Sequence, residues 1–190
     1  MNIIAICGYK RSGKDTIANY ISKKYNFEHV KISQPLKDIC KVLFNFSDDQ
    51  LENNTKDDID TNWDITPRQA LQFIGTEVMQ YKIQELLPNT DRLFWINALL
   101  KKYKDKRNIV ISDLRFLHEY NALMNSTTIS KVCIIKVTQL HNVHSTYDDV
   151  HISENEWLNI PEHIKIYNDG TLDELYKSID NHEKLITRTP

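Results

Sequence analysis

The segment that most constrains the fold of this chain is residues 8–14, where two glycines stand five positions apart and are followed by a lysine, Lys14. It comes directly after the apolar run 3–6, which is typical of a buried strand. A strand that ends in such a loop and leads into a helix points backbone N–H groups and the positive helix end at one polyphosphate. The expected ligand is a nucleoside triphosphate, with Lys14 at its β- and γ-phosphates. The helix is indicated by apolar residues at helical spacing, which are Ile17, Tyr20, Ile21 and Tyr25.

One position departs from the usual form of this loop. The residue after Lys14 is normally Ser or Thr, whose hydroxyl holds Mg²⁺, but here it is Asp15, and Thr16 comes one place later. A carboxylate is a hard oxygen ligand, so Asp15 is a candidate to bind Mg²⁺ directly or through water. It could instead only favour the helix N-terminus electrostatically, an effect of ~0.3–1 kcal/mol. The sequence leaves both roles open.

Composition limits the class of protein. A chain of 190 residues with 41% hydrophobic content and no linker-like tract is expected to form a single domain over residues 1–190. The net charge of −2 and the lack of a dense basic block argue against a nucleic-acid surface. Three widely spaced cysteines favour reduced thiols over disulfides or zinc. With no secretory signal and no membrane-spanning run, a cytoplasmic location is expected.

Short β-branched runs alternate with helical stretches, which indicates an α/β fold with a parallel sheet covered by helices. The strands are predicted at 3–7, 29–32, 109–112, 132–137 and 164–167, and the helices at 14–25, 35–44, 67–87, 93–103, 117–125 and 172–181. The acidic stretch 47–64 is expected to be a surface excursion. Residues 139–163 follow the carboxyl end of the fourth strand, where ligands bind in open sheets, and are a candidate lid or an ordinary surface loop.

Acidic and arginine residues outside the loop are further candidates for the site. Asp113 ends the apolar strand 109–112, an arrangement that places a carboxylate beside metal-bound phosphates, and Arg115 and Glu119 follow it. Glu119 is close enough in sequence to pair with or orient the Arg115 guanidinium. Arginine is scarce beside lysine, and guanidinium groups grip phosphate with two hydrogen bonds. The arginines in these chemically interesting stretches are Arg11, Arg68, Arg92 and Arg115.

Taken together, the motifs resemble the deoxynucleoside monophosphate kinases of the bacteriophage type, over nearly the whole chain. That family resembles this chain in having Gly-Lys-Asp where other such loops have Gly-Lys-Ser or Gly-Lys-Thr. The matching segments are Lys10-Arg11-Ser12-Gly13-Lys14-Asp15-Thr16, Pro35-Leu36-Lys37-Asp38, Arg68 with Leu71-Gln72 and Gly75-Thr76-Glu77, Asp91-Arg92 with Trp95, Asp113 with Arg115 and Glu119, His151-Ile152-Ser153-Glu154, and Asn168-Asp169-Gly170-Thr171-Leu172.

The resemblance implies a three-layer α/β/α P-loop nucleotide-kinase fold with a five-stranded parallel sheet, an acceptor-nucleotide-binding helical region over about 33–103 and the lid over about 139–163. It implies transfer of the γ-phosphoryl group of ATP to a deoxynucleoside monophosphate, with Mg²⁺ as cofactor. The phage-like resemblance and the Asn-, Ile- and Lys-rich composition suggest a viral or AT-rich source, with action in the host cytoplasm if the source is viral. Nucleotides are the expected partners, no nucleic acid or membrane is expected, and a homodimer is left open.

The implied site residues fall into four groups. The catalytic residues are Lys14, Arg11, Asp113 and Arg115. The metal ligands are Asp15 and Asp113. ATP is expected to contact Gly8, Lys10, Ser12, Gly13, Lys14, Asp15 and Thr16. The acceptor is expected to contact Lys10, Leu36, Lys37, Arg68, Gly75, Thr76, Arg92, Trp95, Asp113, Arg115, Glu119, His151 and Glu154.

Several alternatives stay open at this level. Arg68 is either an acceptor-phosphate clamp or a solvated helix residue, and Trp95 is either core or a platform for a nucleobase. His151 and Glu154 are three residues apart but have no further ligand at suitable spacing, which argues against a zinc site. The lid contains no Arg or Lys, so the transition-state charge is left to Lys14, Arg11 and Arg115. The competing functions are a small-molecule phosphate kinase resembling the animal-type phosphomevalonate kinases and a non-catalytic ATP-binding module.

Overall fold

A computed structural model describes residues 1–52, 54–139 and 156–187. Within these residues five strands form one parallel sheet: β1 (Asn2–Gly8), β2 (Glu28–Val30), β3 (Asn108–Ile111), β4 (Lys131–Thr138) and β5 (Ile164–Tyr167). The order across the sheet is β2-β3-β1-β4-β5, and every pair is parallel. The predicted five-stranded parallel sheet is therefore confirmed, with strand ends that differ from the sequence prediction by at most two residues.

The chain divides into two compact units. One, here called the sheet unit, comprises residues 1–31 and 102–190, and the other, the helical unit, comprises residues 32–101. The helical unit spans most of the region 33–103 that the resemblance associates with the acceptor nucleotide. Whether the chain acts as a single domain stays a prediction.

The sheet unit is held together by apolar packing on the sheet. Its helices are α1 (Lys14–Tyr25), α6 (Leu117–Met124), α7 (Leu172–Asp180) and α8 (Glu183–Thr187), with a 3₁₀ turn at Glu156–Asn159. One continuous core joins alternate residues of β1, β4 and β5 to α1, α7 and α8. The residues of the opposite sheet face, such as Ile3, Ile109 and Ile134, are also buried. Burial on both faces is what near-continuous apolar parallel strands require.

In the helical unit, the prediction of one regular helix over residues 67–87 was too simple. It begins as α4 (Pro67–Gln72), with Thr66 as N-cap, then continues as a π-helix over Phe73–Tyr81 and a 3₁₀ segment over Lys82–Glu85. The π-helix begins close to Gly75, whose carbonyl accepts a hydrogen bond from Trp95 Nε1 at 2.9 Å. Segments of π-helix inside α-helices are frequently found at functional sites. The other helices of this unit are α2 (Gln34–Phe44), α3 (Asp48–Glu52) and α5 (Phe94–Lys102).

The acidic stretch 47–64 is more structured than expected. It holds α3, a 3₁₀ turn at Asn54–Asp57 and a β-bridge between Asp60 and Ile65. Leu51 is buried in a small core with Cys40, Phe46 and Ala70, which gives the segment an apolar anchor.

The three cysteines are buried and unbridged, as their spacing predicted. Burial raises the pKa of Cys7 to about 12 and that of Cys40 and Cys133 to about 11, so all three stay thiols at neutral pH. Among the described residues, the helices are too short or too polar to cross a bilayer.

Candidate active site

The loop between β1 and α1 needs glycine at two positions. Gly8 has φ 149°, and a Cβ there would lie 2.3 Å from the Val137 carbonyl oxygen on the neighbouring strand. Gly13 has φ 95°, and a Cβ there would lie 2.5 Å from Asn168 Nδ2. The backbone carbonyl next to Gly8 leaves no room for a side chain. At Gly13 the positive φ disfavours one, and the Asn168 amide would have to move. The two glycines of the sequence motif are therefore fixed by the packing of the loop against β4 and the end of β5.

The loop is shaped to hold an anion. Arg11 has φ 63° and Gly13 has φ 95°, and positive backbone angles of this kind occur in loops whose N–H groups bind an anion. Asn168 Nδ2 donates to the Ser12 carbonyl at 2.9 Å and braces the loop from the carboxyl end of β5. Ser12 Oγ is buried and has no hydrogen-bond partner among the described residues. A phosphate oxygen is the kind of acceptor that such a loop and hydroxyl suit.

Lys14 lies across this loop. Its Nζ donates to the carbonyl oxygens of Gly8 at 3.0 Å and Tyr9 at 2.5 Å. The ammonium group is thus kept at the start of the loop, where a bound polyphosphate meets a positive point charge.

Asp15, the residue in the place of the usual Ser or Thr, is held by two donors. The Ser112 hydroxyl donates to Oδ1 at 2.6 Å, and Lys31 Nζ donates to Oδ2 at 3.1 Å. Partial burial raises the pKa of Asp15, but the Ser112 hydrogen bond and the Lys31 charge outweigh it, and the net pKa is lowered. The carboxylate is therefore ionised at neutral pH and could serve a hard cation.

His29 on β2 extends this cluster. Its Nε2 lies 2.8 Å from Ser112 Oγ, and its Nδ1 lies 2.8 Å from Asn19 Oδ1 on α1. Burial lowers the pKa of His29, more than the nearby Asp15 and Asp113 charges raise it, so the ring is neutral. Neither His29 nor Ser112 was predicted as a site residue. Ser112 had one sequence signal, its position at the carboxyl end of a predicted strand. His29 had none, because the predicted strand 29–32 placed it at the amino end.

Backbone hydrogen bonds on both sides of Asp113 hold the segment that carries Asp113 and Arg115. Before it, the Ser112 N–H donates to the Val30 carbonyl at 3.3 Å, and after Asp113 the Leu114 N–H donates to the Ile6 carbonyl at 3.2 Å. These bonds tie the end of β3 to β2 and β1, so Asp113 stays at the same sheet edge as the phosphate-binding loop. Arg115 is exposed there.

Glu119 organises the backbone of the same segment. Its Oε2 accepts hydrogen bonds from the Arg115 and Phe116 N–H groups, each at 3.1 Å, and so caps the start of α6. The side chain is buried, and burial raises the pKa of Glu119 to about 7. The sequence predicted that Glu119 would orient Arg115. The carboxylate does contact Arg115, but through its main chain.

This pKa predicts a pH dependence of stability. Glu119 binds a proton more tightly in the folded than in the unfolded chain, so its contribution is complete below its unfolded pKa and is lost as pH rises through about 7. Relative to Glu119→Gln, the wild-type free energy of unfolding should fall by roughly 2.5 kcal/mol between pH 5 and pH 8. Urea denaturation of both proteins in metal-free buffer measures this difference.

Glu174 provides the matched control. It caps α7 in the same manner through Thr171, but it is exposed and its pKa is lowered by the hydrogen bonds from Thr171. Glu174→Gln should therefore show the opposite trend, a relative wild-type advantage that is lost as pH falls. A flat difference for Glu119 over this range would contradict the assignment of its pKa.

Three of the predicted acceptor cations, Lys37, Arg68 and Arg92, lie in the helical unit, and each is bound by an acidic or amide side chain. Arg68 holds the Asp57 carboxylate with two hydrogen bonds, one from Nε to Oδ1 and one from the guanidinium Nη2 to Oδ2 at 3.2 Å. Lys37 is buried and donates to both oxygens of Glu52, at 2.6 and 2.7 Å. A planar carboxylate at Arg68 has the geometry in which a guanidinium also takes a phosphate.

Gly75 brings three other predicted residues together. A Cβ at Gly75 would lie 2.5 Å from Leu36 Cδ2, and the Gly75 carbonyl accepts from the buried Trp95. Thr76 beside it is buried as well. Arg92 donates from Nε and Nη2 to Gln80 Oε1 at 3.1 and 3.0 Å. A nucleotide contact for each of these residues stays a prediction, and the burial of Trp95 is what a core residue shows.

His151 and Glu154, and most of the predicted lid, lie outside the described residues. The described part of this segment contacts the phosphate-binding loop, where the Trp157 ring meets the Tyr9 ring edge-on with centroids 4.7 Å apart. Glu156 accepts from the Leu117 N–H at 2.9 Å, and Lys136 pairs with Glu162 at 2.9 Å.

The sheet unit therefore gathers the loop, Lys14, Asp15 and Asp113 at one sheet edge, and the helical unit gathers Leu36, Gly75 and Trp95. Within the described residues, no group of three or more His, Cys, Asp or Glu side chains could hold a metal ion by itself. This arrangement suits Mg²⁺, which is usually held by one or two carboxylates together with substrate phosphates.

Comparison with known proteins identifies the family. The family model for deoxynucleotide monophosphate kinases matches residues 2–60 and 44–179. The chain belongs to the deoxynucleotide monophosphate kinase family. The resemblance inferred from its motifs is thus confirmed.

Two curated relatives of this kinase are viral proteins. A protein of Acanthamoeba polyphaga mimivirus that carries the family's name is 31% identical over 189 residues, which is 94% of each chain. The deoxynucleotide monophosphate kinase of Enterobacteria phage T4 is 23% identical over 98% of this chain and 100% of its own. Shikimate kinase from Aquifex aeolicus, at 15% identity, aligns over 96% of each chain with a TM-score of 0.51 and shows the shared kinase fold.

Proposed function

We propose that this kinase transfers the γ-phosphoryl group of ATP to the 5′-phosphate of a deoxynucleoside monophosphate, giving ADP and a diphosphate. The observation that supports this most strongly is the family match over residues 2–179. It is supported further by the loop, Lys14 and two carboxylates at one sheet edge. Phosphoryl transfer between two anions requires mainly positioning and neutralisation of charge, which these residue types supply.

On the donor side, the loop N–H groups and Lys14 bind the ATP phosphates. Arg11 is exposed at the outer turn of the loop, and Arg115 is exposed at the end of β3, so each guanidinium can reach negative charge that develops on the transferred group. Asp15 and Asp113 are the residues that would hold Mg²⁺. When bound, that ion neutralises phosphate charge and aligns the two substrates.

On the acceptor side, Arg68 and Lys37 bind the acceptor phosphate, and Leu36 and Gly75 form an apolar surface next to it. Since Arg68 already holds Asp57, the phosphate would compete with that carboxylate for the same guanidinium. The competition makes the acceptor affinity depend on both residues.

Arg68→Lys should therefore raise the KM for the acceptor roughly 10- to 100-fold, because lysine cannot replace two parallel hydrogen bonds to a charged group. The KM for ATP should stay unchanged. Asp57→Asn is the matched variant: it removes the competing charge and should lower the acceptor KM. Steady-state kinetics with each substrate varied in turn measures both effects. An equal change in both KM values for Arg68→Lys would contradict the assignment.

The function itself is tested by ADP release, with ATP and Mg²⁺, against all deoxy- and ribonucleoside monophosphates and mevalonate 5-phosphate. Turnover of deoxynucleotides supports the proposal and supplies the base specificity. Turnover of mevalonate 5-phosphate alone would move the protein to the competing small-molecule kinase function. Bound ATP with no turnover of any acceptor would indicate a binding module.

The viral relatives support action in the cytoplasm of an infected host. Substrate nucleotides are the partners this proposal requires. A homodimer would be detected by light scattering of the purified protein.

A further inference from the structure

The phosphate-binding loop carries a carboxylate where a hydroxyl is usual, and the end of β3 carries a hydroxyl directly before its acid, Asp113. In the usual loop the residue after the lysine supplies a hydroxyl, and the strand end supplies an acid. Here the loop supplies Asp15, and the strand end supplies Ser112 ahead of Asp113. The two side chains still meet, since Ser112 Oγ donates to Asp15 Oδ1 at 2.6 Å. A hydroxyl–carboxylate pair therefore joins the loop to the strand end, next to the strand-end acid Asp113.

Packing alone does not fix Asp15. Its side chain is 58% exposed, so the direction of the carboxylate depends on its two hydrogen-bond donors. Ser112 holds Oδ1, and Lys31 Nζ holds Oδ2 from the end of β2 at 3.1 Å. If the Ser112 bond is weakened, the Lys31 charge dominates and draws the carboxylate toward β2.

His29 determines which way the Ser112 hydroxyl points. The Asp15 carboxylate only accepts, so the single Ser112 proton is used on Oδ1, and Ser112 Oγ must then accept from its other neighbour. That neighbour is His29 Nε2, 2.8 Å from Oγ and 3.7 Å from Asp15 Oδ1. The ring is placed by the sheet, because β2 pairs with β3 with Val30 beside Ile111. A neutral ring has a single N–H, and in this network it is on Nε2, so Nδ1 must accept. The exposed Asn19 side chain on α1, whose amide lies 2.8 Å from Nδ1, therefore has to turn its NH₂ group toward the ring, which sets the ring plane.

We propose that His29 is a positioning residue for Mg²⁺·ATP: by donating to Ser112 it directs the serine proton to Asp15 and fixes that carboxylate beside the phosphate-binding loop. His29 does not touch the substrate in this role. The inference rests on the proposed function only in that Asp15 faces the metal–nucleotide complex.

A pair of amide variants tests this chain of contacts. The Gln side-chain nitrogen reaches the place of Nε2, so His29→Gln keeps a donor to Ser112. The Asn amide ends near the place of Nδ1, so His29→Asn loses that donor but stays polar. His29→Asn and Ser112→Ala should each weaken Mn²⁺·ATP binding roughly tenfold, as loss of a residue supporting a metal ligand typically does. His29→Gln should stay close to the wild-type affinity.

The double variant His29→Asn/Ser112→Ala decides whether His29 acts through the serine. It should bind Mn²⁺·ATP no more weakly than Ser112→Ala alone, because His29 then has no hydroxyl to direct. Calorimetric titration with Mn²⁺·ATP, and electron paramagnetic resonance of the bound Mn²⁺, give the affinity and the change at the metal. His182→Asn, at a half-buried histidine between α7 and α8, is the control and should match the wild type.

Three results would overturn the inference: additive losses in the double variant, equal losses for His29→Gln and His29→Asn, or wild-type binding by His29→Asn. Thermal unfolding shows whether each variant is still folded. A variant that is not folded is left out, and the binding affinities of the remaining His29 variants are compared with that of Ser112→Ala. The proposed function fails separately. If the wild type binds Mn²⁺·ATP but phosphorylates no deoxynucleotide, the proposed function is wrong. The role of His29 is then still tested by the Mn²⁺·ATP affinities of the single and double variants.

Discussion

Replacement of Lys14 by methionine is expected to lower kcat/KM by about 10²- to 10³-fold, the usual effect of removing one preorganised group that stabilises transition-state charge. The physical reason is local. Lys14 Nζ is held over the loop by the Gly8 and Tyr9 carbonyl oxygens, so its charge is already in place when the phosphates arrive. Methionine keeps the length and apolar stem of the side chain and removes the charge. Initial rates over a range of ATP concentrations measure the loss.

Lys23→Met is the matched control for this loss. Lys23 lies on the same helix, α1, but is exposed in its last turn, away from the loop. It should keep wild-type kinetics. Both variants should unfold at nearly the wild-type temperature, because the hydrogen bonds of Lys14 are to loop carbonyls at the surface edge of the sheet. If Lys14→Met lowers kcat/KM by less than tenfold, Lys14 is not a catalytic residue.

The parts of the fold that sequence could predict are those set by neighbours along the chain. The helix 14–25 was predicted with its observed bounds, because the glycine loop starts it and Asn26, with φ 56°, ends it. The five strands could be placed because each is a short apolar run between polar segments. Gly8 and Gly13 could be singled out because few glycines occur in this chain, and the structure gives the reason in their close contacts.

The rest of the candidate site depends on contacts between distant segments. Ser112 meets Asp15, 97 positions earlier, only because β3 lies next to β1 in the sheet. His29 joins them because β2 lies next to β3, an order that no local pattern specifies. Asp57 pairs with Arg68 from a stretch that was expected to be an excursion. The sequence around each of these side chains carries no distinctive motif. Their partners are set by contacts between segments that are distant along the chain.

The segment 67–87 illustrates a different limit. Its apolar spacing indicated one regular helix, and the chain there is helical. The change to a π-helix arises where Gly75 is packed against Leu36 and its carbonyl is bonded to Trp95. Tertiary contacts of this kind alter the hydrogen-bond pattern of a helix without a signal in the helix's own sequence.

Asp113→Asn is expected to lower kcat/KM by about 10²-fold or more, because it removes a fixed negative charge from the sheet edge where the Mg²⁺–phosphate complex is proposed to bind. Asparagine keeps the shape of the side chain. The backbone bonds at Ser112 and Leu114 hold the segment in either case. Asp105→Asn is the matched control, an exposed aspartate just ahead of the amino end of β3, and it should leave the rate unchanged.

The same substitution separates catalysis from stability. The Asp113 charge adds to the effect of burial in raising the pKa of Glu119, so the two carboxylates repel when both are ionised. Asp113→Asn removes that repulsion and should make the protein at least as stable as the wild type at pH 8, where Glu119 loses its proton. An inactive variant with an undiminished free energy of unfolding at pH 8 assigns Asp113 to the reaction. Loss of activity together with loss of stability would assign it to the fold.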